Sequence, residues 1–147
     1  MYIVLLVILL TAAAVDLFTL RIPNRIIVCG IASGMICSIL QKGGQGIWES
    51  IAGILIPTVI PAVLYRFRII GAGDVKLIAV AGSFLGVSVT LQCLFPILLF
   101  AGALSLLCFL MLLFRERRNA FHHRHMIPMA VPIFLGVFWY LHTNGLV

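Results

Sequence analysis

An all-α membrane protein of about six spanning helices is the fold this sequence predicts, and three observations predict it. Of its 147 residues, 63% belong to the apolar AVILMFWYC set and 10% are charged, against about 45–50% and about 25% in soluble domains. The apolar residues gather into six runs, and because a span needs roughly 20 residues, the length holds about six spans with short connections. Eight of the ten Lys and Arg residues fall in alternate loops, the first, third and fifth. A chain this apolar cannot cover a water-facing surface with polar side chains, so the lipid bilayer must be its main solvent. Residues 1–147 read as one transmembrane domain. A large extramembrane domain is excluded. So is nucleic-acid binding, because the +6 net charge comes from basic residues scattered among apolar runs.

The elements follow in order. Met1 to about Val15 is apolar and ends at Asp16. It lacks the basic start of a signal peptide and leads straight into another helix, so it is expected to stay in the mature protein. A second run covers about Ile26–Leu40, and Lys42-Gly43-Gly44-Gln45-Gly46 reads as a turn. The third run, about Ile47–Tyr65, contains Glu49, Pro57 and Pro61, and a polar break from Arg66 to Asp74 follows. Val75–Thr90 and Leu91–Phe114 form one stretch of about 40 residues, too long for a single span and right for two. The split is expected near Gly86–Gln92. Arg115–His125 is the most polar loop, and Met126–Leu141 is the last run. Gly30 with Gly34, and Gly82 with Gly86, have the small-xxx-small spacing that lets helices approach closely.

Arg21, Arg25, Arg66, Arg68, Arg115, Arg117, Arg118 and Arg124 occupy the first, third and fifth loops, with Lys76 just inside the fourth run. The second loop holds Lys42 alone, and the fourth loop and both termini hold no Lys or Arg. Positive charge stays on the cytoplasmic side, so both termini are expected outside. Asp16, Asp74 and Glu116 then fall on the cytoplasmic face, and Glu49 outside. Trp48, Trp139 and Tyr140 fall near outer helix ends, as an aromatic belt would.

Acids beside a span are costly and usually face protein or water. Asp16 closes its run, where the helix dipole disfavours an anion; it is either an interfacial partner of Arg21 or Arg25, or a functional acid. Asp74 stands before a helical run, where it is either a helix cap or a catalytic acid flanked by Gly71 and Gly73, which allow close approach to the backbone. Two aspartates at one membrane face can hold a water between them and share a proton, one removing a proton from the water and the other polarising a scissile carbonyl. Metal chemistry is not indicated. Cys29, Cys37, Cys93 and Cys108 are isolated, with no CxxC pair, and the neighbouring His122 and His123, with Arg124 and His125, read as a basic loop against anionic lipid. No cofactor is expected.

Gly71-Ala72-Gly73-Asp74-Val75-Lys76-Leu77 resembles the GxGD(x)K(L) motif of the type IV prepilin peptidases, a family of membrane-embedded aspartyl proteases. Asp16-Leu17-Phe18-Thr19-Leu20-Arg21-Ile22-Pro23-Asn24 is similar to that family's first aspartate motif, an Asp followed by Ile-Pro-Asn. Ile127-Pro128-Met129-Ala130-Val131-Pro132-Ile133 resembles its IP-(F/M)-G-P segment, with Ala130 in place of Gly. GxGD also occurs in presenilin-like proteins, but their first aspartate lies in a YD motif, and Ala14-Val15-Asp16 lacks that Tyr.

The resemblance implies that Asp16 and Asp74 are catalytic and that Gly71 and Gly73 let the substrate backbone reach Asp74. Lys76 either tunes the pair or extends to the headgroups. Pro23 most simply ends the first helix, and Asn24 either caps the second or touches substrate. The implied partners are prepilin-like membrane proteins, cut at the cytoplasmic face of the inner membrane after a Gly that precedes an apolar segment. Larger members also methylate the new N-terminus with an extra domain carrying CxxC pairs, and no loop here has room for one, so cleavage without methylation is expected. A small proton or cation transporter using the two aspartates, and a non-catalytic assembly subunit of the same fold, are the alternatives.

Overall fold

The computed structural model describes residues 1–19, 22–67, 70–115 and 130–146. These form helices α1 (Tyr2–Thr19), α2 (Asn24–Lys42), α3 (Gly44–Arg66), α4 (Ala72–Arg115) and α5 (Ala130–Thr143), with no strand among the described residues. Four of them, α1 to α4, are long and apolar enough to cross a membrane, and α5 has 14 residues. The expected separation of the long apolar stretch into two helical halves is present, at the Gly86 end of the expected range. α4 runs through it, broken at Gly86, whose φ of 74° and ψ of −176° are not helical. A straight helix would set Asp74 and Ser105 about 46 Å apart, yet both line one cavity. The chain therefore folds back at Gly86, a turn open to glycine because it has no Cβ.

Two other boundaries differ from the sequence reading. The first helix continues past Asp16 through Leu17-Phe18-Thr19, since nothing in that triplet breaks a helix. The glycine-rich turn shrinks to Gly43 alone, at φ 61°, because Gly44 already begins α3.

The first half of α4 is the centre of the bundle. Residues 77–85 are buried without interruption, as expected of a helix that is apolar all round. Helices α2 and α3 meet it through small residues. A methyl at Gly30 would stand 2.8 Å from Val80 Cγ1, and one at Gly82 would collide with the Gly53 carbonyl. Ser38 Oγ and Ser50 Oγ both donate to the Ser83 carbonyl, at 3.1 and 2.8 Å, which satisfies these polar groups inside an apolar interface. α1 packs chiefly against α5 and touches α4 lightly.

The outward surface is apolar too. Phe18 is 89% exposed, Leu40 79% and Phe95 74%, an aggregation hazard in water and an ordinary surface in lipid. A multi-pass membrane protein is the consistent reading of these helices.

Candidate active site

One end of the bundle collects the end of α1 and the starts of α2, α4 and α5. The chain passes through this end at Asp16, at Ile22-Pro23-Asn24 and at Gly71-Ala72-Gly73-Asp74, and α5 begins there at Ala130. Asp16 and Asp74 are both buried, at 8% and 6% exposure, and Asp74 lies within electrostatic reach of the Asp16 charge. Two positions separated in sequence by α2 and α3 are thus brought to the same end of the bundle.

Each carboxyl is held by a backbone amide. The Ala130 N–H donates to Asp16 Oδ2 at 3.1 Å, so Asp16 meets the first residue of α5. Of the two ion-pair partners considered for Asp16, Arg25 is exposed and makes no ion pair with Asp16 among the described residues, and Arg21 lies outside the described residues. The Gly71 N–H donates to Asp74 Oδ2 at 3.0 Å. Asp74 is therefore not the residue before the helix. It sits in the first turn and reaches back to the amide preceding it, as the acidic residue of a capping box does. A carboxyl held this way keeps one oxygen edge for other work.

Gly73 lies under the α1–α2 connection, where a methyl would stand 3.0 Å from Ile22 Cδ1. A methyl at Gly71 would stand 3.1 Å from Asp74 Oδ2. Gly71 thus clears space beside the Asp74 carboxyl, and Gly73 lets Ile22 approach the start of α4. The described part of α1 runs to Thr19, and Pro23 stands four residues further on. It occupies the position before α2 with φ −61° and ψ 133°, the conformation its ring enforces. Asn24 is the first helical residue and not a cap, because the chain is already helical at that position. Its side chain instead accepts a hydrogen bond from Lys76 Nζ at 2.8 Å, an exposed contact that joins the starts of α2 and α4.

A cavity of about 250 Å³ opens beside Asp74, lined by Ile60, Pro61, Leu64, Ile78, Leu98 and Ile133 among others. It is apolar apart from Asp74 and Ser105. Sequence reasoning did not find this cavity, because it needs the fold-back at Gly86 to bring both halves of α4 together. The Ala130 amide was also missed as a contact of Asp16; the proline-flanked Ile127–Ile133 segment was its only sequence signal. His122, His123 and His125 lie outside the described residues. Cys93 is buried in the core, Cys29 is exposed and Cys37 is intermediate.

No curated protein and no solved structure matches the chain. A family model does: that of the type IV leader peptidase family, over residues 3–114, a span that takes in Asp16, Ile22-Pro23-Asn24 and Gly71-Ala72-Gly73-Asp74. The chain belongs to the type IV leader peptidase family.

Proposed function

We propose that this peptidase is an aspartic endopeptidase that removes the leader of prepilin-like membrane proteins, with Asp16 and Asp74 as its catalytic pair. The observation that carries the reading is the arrangement of the two carboxyls. Both are buried at one end of the bundle, within electrostatic reach of each other, and each is oriented by a backbone N–H. A water held between them loses a proton to the ionised carboxyl as its oxygen attacks the scissile carbonyl carbon. The protonated carboxyl donates to the carbonyl oxygen. Collapse of the tetrahedral intermediate breaks the C–N bond, the proton taken from water leaves with the new amine, and the proton lent to the carbonyl oxygen returns to its carboxyl. The pair titrates as a unit, so either aspartate can start as the base. The apolar cavity beside Asp74 suits the apolar segment that follows the leader.

The charges support a cytoplasmic site in the inner membrane. Arg25, Arg66 and Lys76 belong to helix ends on the aspartate side, and Lys42 to the opposite side. Positive residues mark the cytoplasmic face. The start of α1 and the end of α5 then face outward, and the two halves of α4 with the other helices give six passages. The connection between α4 and α5 spans 14 residues, numbers 116–129, too few for a methyltransferase fold, so the reading is cleavage without methylation at this site. A proton or cation site would place its acids near the midplane; both acids stand at one end.

The test is leader release from a synthetic prepilin by purified protein in detergent. Asp16→Asn and Asp74→Asn should each abolish it while size-exclusion profile and helical circular dichroism stay unchanged. Asn at 74 can still accept from the Gly71 N–H, so this variant separates capping from catalysis. Near-normal cleavage by either variant would sink the proposal and leave a non-catalytic or differently catalytic protein.

A further inference from the structure

Lys76 occupies a place where electrostatics gives it no reason to be. It lies in the first turn of α4, where the helix dipole disfavours a cation. Its ammonium donates to Asn24 Oδ1 at 2.8 Å, across 52 residues of chain. Since Lys has donors only, the amide must present its oxygen. Lys76 therefore meets a neutral acceptor and not Asp74, two residues away.

That bond closes a short mechanical path. Asn24 begins α2, and the connection before it crosses Gly73 at Ile22. Pro23 stiffens that connection at φ −61°. The same connection leads back to α1 and Asp16. Because α1 packs mainly on α5, and Asp16 is tied to the Ala130 amide, direct contact between α1 and α4 does little to fix how far Asp16 stands from Asp74.

We infer that Asn24 and Lys76 form a latch that sets the spacing of the two aspartates. Both are positioning residues acting through Asp16 and Asp74, an inference that rests on the peptidase reading above. The neutral acceptor has a second consequence. A cation moved onto Asp74 would favour its ionised form and oppose proton sharing, and Asn24 keeps the ammonium away.

The experiment has two arms, on full-length protein in detergent. In the kinetic arm, Asn24→Ala and Lys76→Met should each lower kcat for leader release about 10- to 100-fold, the scale of a misplacement near 1 Å, with KM little changed. The exchange variant Asn24→Lys with Lys76→Asn puts the same two side chains on the same two backbones and should recover most of kcat. Wild-type kcat in either single variant, or no recovery in the exchange, overturns the latch. The second arm does not need catalysis. Spin labels at Phe18→Cys and Ala72→Cys, on a background without other cysteines, report the α1–α4 spacing. Their distance distribution should broaden with Asn24→Ala and sharpen again in the exchange variant. An unchanged distribution overturns the latch. If the wild type releases no leader, the peptidase reading falls, and the label distances decide the latch by themselves.

Discussion

The two ends of the bundle handle negative charge in opposite ways. At one end, Asp16 and Asp74 are buried and held by the Ala130 and Gly71 amides. At the other, Glu49 is about half exposed and ion-paired with Lys42, beside a roomier cavity of about 790 Å³ lined by Met1, Trp48 and Gly86 among others. A cation fixes a carboxylate in its ionised form, whereas a backbone amide orients it and leaves it able to share a proton with a neighbour. Neutralisation serves structure at the Glu49 end. On the proposed reading, its avoidance serves chemistry at the aspartate end.

Both ends depend on the closely packed middle that holds them in register, and the largest effect is expected there. A side chain at Gly82 would meet the Gly53 backbone carbonyl, and one at Gly53 would meet the backbone of Gly82 and Gly86. Backbone cannot swing aside as a side-chain tip can. Gly82→Leu should therefore fail to give a monodisperse folded protein, and Gly82→Ala should lose about 1–3 kcal/mol through overpacking. Thermal unfolding in detergent checks this. An undiminished melting temperature in Gly82→Ala would mean that α3 and α4 are not in backbone contact, and the two ends would lose their common frame.

Ala130→Pro tests the aspartate end more gently. Proline is tolerated in a first helical turn and removes the N–H that Asp16 accepts, while Ala130→Gly keeps it. A hydrogen bond to a charged group contributes about 1.5–3 kcal/mol, so Ala130→Pro should slow leader release about 10- to 100-fold, and Ala130→Gly should stay near wild type. Equal activity of the two would show that the amide does not orient Asp16.

What the sequence revealed, and what it did not, follows the same physics. The helices were legible because apolar runs of spanning length have few alternatives in lipid. The small-xxx-small pairs announced the tight contacts at Gly30 and Gly82, since the absence of a side chain is itself a residue identity. The Asp16 and Asp74 motifs were legible for the same reason. The contact from Ala130 was not, because every residue but proline carries the same N–H, and only the fold selects which one meets Asp16. The break at Gly86 was expected only as a range, since the apolar pattern continues through it. Asn24 and Lys76 were each noticed, yet the cap and headgroup readings were local ones, and a bond spanning 52 residues leaves no local trace.

The smallest effect belongs to the Glu49 end. The Lys42–Glu49 pair is about half exposed on both sides, so water and salt screen it and its contribution should be about 0–1 kcal/mol. Lys42→Met, Glu49→Gln and the double variant form a cycle in which the coupling is read from three melting temperatures against the wild type. The coupling should be small and should shrink further at high salt, because a screened pair gains little from geometry alone. Leader release should be unchanged in all three, since no group of the pair belongs to the end of the bundle where Asp16 and Asp74 stand. A collapse of cleavage in Glu49→Gln, comparable to that expected for Asp74→Asn, would place chemistry at the ion-paired end. The division between a neutralised structural carboxylate and an amide-held reactive pair would then be wrong.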